Sequence, residues 1–583
     1  MSKMLCLLFV LALILALPAI AEETQRAEAP AITGRAMDFY MGDLERAESH
    51  NVYFAGDSDV PYLSLSEWAD LLNGITKDLI LEGKDTAYRV AYSATDGKAF
   101  LTREDGYFVS FDWENDVIRF LDYDAFMRPD DSKAIIDTLS VDDPTPDGDA
   151  QYFRRATGSY ERYGDMLTLK LGEYGIDILN EGSECYVPLQ TLSDFFLAIK
   201  YVNAFYNGSA VFIAPYGSLE EDNERLSPLG EAFHAVEADR RSESMAAFAY
   251  SELCLALDNL YGLKEVHAID SFDSLAYQTG LKEDLMSTDP QLADVALYQL
   301  LHFHLDDLHS GFLNVSPLNK KVAFDDYLDP ENMMGQSTLS FEVQEYNYKS
   351  VRKAARPDGI PAYEEFGNTA YITFDKFESV PEEANYYETP PAADTEDTIG
   401  IMIYAYQQIT RENSPIENVV LDLSCNLGGD LDTAIFVIAT FLGRASISVK
   451  DTMTGALATS IYHVDVNLDG KFDTDDRELI NRKLFCLTSP ASFSCGNLVP
   501  CVFKNSSEVT LLGRASGGGS CAVLPMSTAD GTAFQISGPL RMSFTKNGSF
   551  YDIDRGAEPD FPLVYPASFY DRESLTEYLN ELR

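Results

Sequence analysis

The chain has 583 residues, 46% of them hydrophobic, so core formation is not limiting and the length fits roughly three to four domains. Its formal charge of -51 at pH 7 is spread along the whole sequence rather than gathered in a tail. Such a chain carries a solvated acidic surface and is unsuited to phosphate backbones, which excludes nucleic acid as an expected partner.

The sequence opens MSKMLCLLFVLALILALPAIAEE, with Lys3 ahead of an apolar run and Ala19-Ile20-Ala21 ahead of Glu22. That is the pattern of a secretory signal peptide over 1–21, and it predicts a secreted or extracytoplasmic mature chain. Cys6 lies well upstream of the cleavage site, which argues against a lipid anchor. No later segment reaches the ~20 apolar residues of a membrane span. Of the 8 cysteines only Cys6 lies in the leader, so an odd number remains and at least one thiol is expected to be free. No CxxC pair occurs, so no cysteine zinc site is expected.

Residues 22–217 read as two diverged α+β copies, 22–145 and 146–217. Val60-Pro61-Tyr62-Leu63-Ser64-Leu65-Ser66-Glu67-Trp68 aligns with Val187-Pro188-Leu189-Gln190-Thr191-Leu192-Ser193-Asp194-Phe195, each a strand leading into a capped helix. Asp96-Gly97 and Asn207-Gly208 supply the positive φ that a hairpin turn needs. Asp142 to Gly148 reads as a linker.

A helical domain is expected over 218–320. Its last helix begins with Asp289 as cap and Pro290 at the first position, carries Leu297, Leu301, Leu305 and Leu308 at helical spacing, and stops at His309-Ser310-Gly311. His302, His304 and His309 do not form a metal site in this reading, because His302 and His304 point about 200° apart on a helix.

From 321 to 583 apolar strands alternate with helices, a mixed α/β pattern. Strands are expected at Tyr371 to Phe374, Asn418 to Leu423, Leu484 to Leu487 and Val509 to Leu512. Two of them run into special loops. The first is Ser424-Cys425-Asn426-Leu427-Gly428-Gly429 and the second Ser492-Phe493-Ser494-Cys495-Gly496-Asn497, each followed by a helix. In a parallel sheet both loops lie at the carboxyl ends of strands, where ligands bind. Gly428 or Gly429 could turn an amide toward a developing oxyanion, or could merely permit a tight turn.

Within this region DVNLDGKFDTDD, residues 465–476, matches a calcium loop. Asp465, Asn467 and Asp469 take positions one, three and five, and Gly470 turns at six. Lys471 offers a backbone carbonyl at seven, Asp473 a water-mediated contact at nine and Asp476 the last ligand. The loop is unpaired and ends in Asp rather than Glu, so a structural Ca2+ of modest affinity is expected, outside the chemistry.

Six segments then occur in one order: Asp306-Asp307-Leu308-His309-Ser310, Tyr371-Ile372-Thr373-Phe374, Val420 to Gly429, Ser492 to Asn497, Leu512-Gly513-Arg514-Ala515-Ser516-Gly517-Gly518, and Gly556-Ala557-Glu558-Pro559-Asp560. No one of them is specific, but together, over roughly 230–570, they make the chain resemble the tail-specific, or C-terminal processing, serine peptidases. The resemblance implies a multidomain α/β protein with a ClpP/crotonase-like core. It places the nucleophile at Ser494, with Ser492 as a turn residue and Asn497 where the family usually has Glu. The oxyanion hole would come from the amide of Cys495 with that of Gly429 or Gly428. The thiol of Cys495 is the rival nucleophile.

The family's lysine base has no counterpart between Arg514 and Ser520, the matching position being Gly519. The chain is in this respect similar to relatives typified by the tricorn protease core, which implies His309 as base and Ser310 as an assisting residue. A histidine suits the role because it exchanges protons near neutrality. Such a base is normally held by an acid, and Asp554, Glu558 and Asp552 are the candidates, Asp554 preferred. No Gly-Leu-Gly-Phe-like loop marks a peptide-tail-binding module between Gly311 and Tyr371.

The implied activity is peptide-bond hydrolysis on a peptide or protein substrate through an acyl-enzyme, with no catalytic cofactor. Substrate would lie along 516–522 as an added strand. Cys425 and Cys521 are a disulfide candidate, as each lies in a glycine loop. The N-terminal copies are similar to copper amine oxidase N-terminal-like domains, which implies no copper; they read as a structural or wall-contacting module. An alternative keeps the fold without the activity, as a peptide-binding or cell-surface protein.

Overall fold

The computed structural model describes residues 30–81, 88–128, 136, 148–222, 225–320 and 333–582. The signal-peptide reading of 1–21 and the linker up to residue 147 lie outside them. Among the described residues no helix is long and apolar enough to cross a membrane.

The centre of the α/β region is a six-stranded sheet running Tyr363–Phe366, Thr369–Thr373, Asn418–Asp422, Lys483–Thr488, Val509–Gly513 and Phe561–Pro562. The first pair is antiparallel and the rest are parallel. Thr369–Thr373 and Asn418–Asp422 are buried along their whole length, and their centres, Ala370-Tyr371-Ile372 and Val419-Val420-Leu421, suit a sheet covered on both faces. Helix Leu431–Leu442 follows Asn418–Asp422. Helix Cys495–Ser506 joins Lys483–Thr488 to Val509–Gly513 as a βαβ unit. Asp422 and Leu487 stand side by side in register, so the loops that follow them open at the same sheet edge.

A second, antiparallel sheet gathers strands from distant parts of the chain. Its order is Gly311–Asn314, Ala533–Ser543, Ala445–Asp451, Leu457–Val464 and Phe153–Arg162, with Cys521–Ser527 also paired to Ala533–Ser543.

The two N-terminal copies do not stand apart at 145/146. The two matching strands, Tyr62–Ser64 and Glu184–Pro188, pair antiparallel with each other, Leu63 opposite Val187. They lie within one seven-stranded sheet that also holds Ile32–Met41, Ala47–Ala55, Leu179–Glu181, Val202–Tyr206 and Ala210–Pro215. Each copy leaves a sheet edge that the other closes, and an apolar face that the other covers. Trp68 of the first copy meets Phe196 of the second edge-on. The same core takes Leu253 and Leu257 from helix Glu243–Leu260 and Phe534 and Ile536 from the second sheet, so the helical region is packed onto it as well.

Both hairpins form. Gly97 has φ 79° in the two-residue turn between Val90–Thr95 and Lys98–Arg103. The Asn207 side chain accepts from the amides of Ser209 and Ala210 at 3.0 and 2.9 Å. Asp289 caps helix Pro290–Gln299 by accepting from Gln291 N at 3.1 Å. The expected α-helix through Leu308 does not continue. It widens into a π-turn, Leu300–Leu305, and reverses at Asp306 with φ 47°, as inserted residues at a functional bend often do.

Candidate active site

Ser494 is the residue at which strand Lys483–Thr488 gives way, through 489–493, to helix Cys495–Ser506. Its backbone sits at φ 55°, ψ -123°, a region a residue with a Cβ rarely adopts. Neighbouring hydrogen bonds hold it there. Its amide donates to Gly518 O at 2.9 Å, and its carbonyl accepts from Asn497 N and Leu498 N at 2.9 and 2.8 Å. Phe493 N donates to Asn426 O at 3.0 Å, tying the turn to the glycine loop. The Ser494 side chain is half-buried, while Ser492 is fully buried and donates to Leu423 O at 2.7 Å. Of the three candidates in the stretch, Ser492 is therefore a turn residue. Cys495 is also set aside as a nucleophile, because burial pushes its thiol up to about 12 and the thiol donates to Gly429 O at 3.2 Å.

The glycine loop lies directly against this turn. A Cβ on Gly428, at φ 105°, would come within 2.6 Å of Ser494 Cβ and 3.1 Å of its Oγ. The two glycines separate in role. Gly428 N donates to Asn426 Oδ1 at 2.9 Å, so Gly428 is removed as an oxyanion donor. Gly429 forms a lone parallel bridge to Phe377, made by Gly428 O and Asp430 N. Its own carbonyl accepts from the Cys495 thiol. Cys495 is the first residue of its helix, so its amide has no intrahelical acceptor, and the helix dipole favours negative charge there. Among the described residues the amides of Gly429 and Cys495 are left without an acceptor.

His309 reaches the site from the other half of the chain. Its ring lies 4.7 Å from that of Phe493, centroid to centroid, and Phe341 of helix Gln336–Ala355 packs edge-on against Phe493. The turn carrying His309 is fixed through its backbone. Asp307 Oδ1 accepts from His309 N at 3.2 Å, Asp307 Oδ2 from Ser310 Oγ at 2.7 Å, and His309 O from Gln535 Nε2 at 3.0 Å. Asp306 accepts from the amides of Ser337 and Thr338, which docks helix Gln336–Ala355 beside the turn. The ring is 6% exposed, and its Nδ1 has no hydrogen-bond partner among the described residues. Burial holds the imidazole below its ordinary pKa, and the Asp307 charge partly offsets this, so the ring is neutral at pH 7.

The acids proposed to orient His309 are not brought to it. Asp554 accepts from Ser520 N at 2.7 Å and pairs with Arg541 Nη2 at 2.5 Å; it braces the glycine loop 516–520 instead. Asp552 also faces Arg541, at 3.0 Å, and Glu558 is exposed. Ser310 is committed to Asp307 and to Ser537 N. Asp307, two residues before His309, is the carboxylate whose charge the ring feels. A short acidic side chain preceding His-Ser is a turn signal that could have pointed to it. Asn426 is the other residue not foreseen. Besides the Gly428 amide its side chain holds Phe374 O at 3.0 Å, which fastens the loop across the sheet edge.

Asn497, in place of the expected Glu, joins Ser516 Oγ at 2.7 Å and Ile553 O at 3.0 Å, packing the two late loops together. The backbone of 516–522 is engaged at Gly517 N, Gly518 O, Ser520 N and Ser520 O, so little of it is open to an added strand. Cys425 lies beside Tyr570 and Cys521 beside Gly262; all the described cysteines are free thiols, so the disulfide is not formed.

Residues 368–563 match the family model described as Peptidase family S41. No curated protein matches the chain. Similar solved structures include the photosystem II D1 C-terminal processing protease, 17% identical over 33% of this chain and 42% of that one, TM-score 0.25. A putative peptidase from Parabacteroides merdae is 15% identical over 55% of this chain and 90% of that one, TM-score 0.37. The tricorn protease is 15% identical over 43% and 20%, TM-score 0.22. The chain thus spans less than half the length of the first of these. The matched region carries the parallel sheet from Thr369, the glycine loop and Ser494. His309 lies outside it.

Proposed function

We propose that the protein is an exported serine peptidase in which Ser494 attacks the scissile carbonyl of a peptide substrate and His309 takes, then returns, the proton. The amides of Gly429 and Cys495 receive the oxyanion, and the acyl-enzyme on Ser494 is released by water that His309 activates. The observation that carries the reading is the Ser494 turn: an accessible hydroxyl on a left-handed serine, pressed against Gly428 at a helix N-terminus. Export rests on the leader-like sequence ahead of Glu22.

The test is labelling of the mature protein with a fluorophosphonate and mapping of the adduct by mass spectrometry. Adduct at Ser494 that disappears in Ser494→Ala and in His309→Ala supports the pair. The unpartnered Nδ1 of His309 favours one rival, a peptide-binding protein without turnover. Absence of labelling, or labelling indifferent to His309→Ala, selects that rival.

A further inference from the structure

Between strand Leu457–Val464 and the helical turn Thr474–Asn481 the chain makes an acidic loop that takes no part in the proposed chemistry. Asp465 is fully buried. Its Oδ1 accepts from Asp469 N at 3.0 Å, and its Oδ2 accepts from Gly470 N at 2.7 Å and from Tyr387 Oη at 3.0 Å. Asn467 Oδ1 accepts from Asp469 N at 2.8 Å.

Asp476 supplies the decisive observation. It is 2% exposed, and its Oδ1 accepts from Val466 N at 3.0 Å and Asn467 N at 3.1 Å, which turns the carboxylate into the loop. Its Oδ2 is shut off from solvent and has no hydrogen-bond partner among the described residues. Burying a carboxylate oxygen without a donor or cation is strongly unfavourable. Asp465 and Asp469 lie close enough for their charges to act on Asp476. A cation placed among them would relieve both the repulsion and the orphaned oxygen.

We propose that residues 465–476 bind one calcium ion through Asp465, Asn467, Asp469, the Lys471 carbonyl and Asp476. Oxygen donors of mixed type on a flexible loop suit calcium better than magnesium, which demands a tight octahedron. Among the described residues no three His, Cys, Asp or Glu side chains converge as a metal cluster. Asp469 Oδ2 is held by its neighbour Lys471 Nζ at 2.6 Å. Calcium therefore competes with that ammonium, and binding turns Asp469 inward. The ion would fasten three segments at once, since Asp465 N donates to Tyr152 O at 2.9 Å and Tyr387 joins both Asp465 and Gln151 O. This inference is independent of the Ser494 chemistry.

Tyr387 makes the site directly readable. Its hydroxyl touches a ligand carboxylate and its ring stacks on Tyr152 at 5.4 Å, so tyrosine excitation should sensitise terbium bound in the loop. Chelator-treated full-length mature protein is titrated with terbium, then with calcium or magnesium. The expected result is saturable emission displaced by calcium and not by equal magnesium, lost in Asp476→Asn, with a melting temperature that rises with calcium concentration. Lys471→Ala, an exposed change that leaves the fold intact, should bind calcium several-fold more tightly. Emission unchanged in Asp476→Asn, equal displacement by magnesium, or calcium affinity unchanged in Lys471→Ala would each overturn the proposal.

Discussion

The turns that carry Ser494 and His309 are built in opposite ways. The Ser494 turn lies within the parallel sheet and is held on every side: by Gly518 O, by Asn426 O, and by the first amides of its own helix. The His309 turn is fixed through its backbone and the side chains of Asp306, Asp307 and Ser310, while the ring leans on Phe493 with Nδ1 unpaired among the described residues. A strained nucleophile can persist because its surroundings over-determine it. A base brought from another region depends on how well the two regions pack. In the proposed mechanism the geometry of attack would belong to one sheet, and the geometry of proton transfer to a contact between regions.

The largest effects should come from the pair itself. Ser494→Ala and His309→Ala should each lower kcat by about 10⁴–10⁶-fold, with the double variant no worse, because residues acting as a unit are not additive. Kinetics on a peptide substrate check this. A mild His309→Ala would break the comparison by showing that the ring is a packing residue.

Gly428→Ala sharpens the other side. The new Cβ would press on Ser494 and adopt φ 105°, so activity should be abolished and stability should fall by about 1–3 kcal/mol or more in denaturant unfolding. Ser494→Gly should do the reverse for stability, gaining about 1 kcal/mol as the left-handed backbone is relieved, while activity is lost. No gain would mean that the turn is not strained.

The smallest expected effect is a pH shift. Burial lowers the His309 pKa below 6.5, so the basic form survives acidification and the acid limb of kcat/KM lies below pH 6.5. The Asp307 charge raises that pKa, so Asp307→Asn should move the limb to still lower pH, alongside a modest loss of rate. A limb that stays in place would remove Asp307 as a partner of the ring.

Much of the catalytic half was legible because its signals are local. The runs at 419–421 and 484–487 are apolar and lead into small and polar residues, which reads directly as buried strands opening into loops. Asp289-Pro290 announced its helix for the same reason. What was not legible depended on contacts between distant segments. Asp554 looked like an orienter until Arg541, on a neighbouring strand, was seen to claim it. The choice between Gly428 and Gly429 turned on one Asn426 side chain. The repeat was visible, but nothing in Val60–Trp68 or Val187–Phe195 states that the two copies pair with each other.

Strand Phe153–Arg162 pairs with Leu457–Val464, a partner about 300 residues further along. During synthesis or translocation this strand emerges long before its neighbour and must remain unpaired until most of the chain has followed. Closing so long a loop is slow, and an unpaired strand is open to aggregation in the interval. A fragment beginning at residue 218 would carry Leu457–Val464 as an exposed edge, which predicts that the two halves fold as one unit and not as modules that can be exchanged.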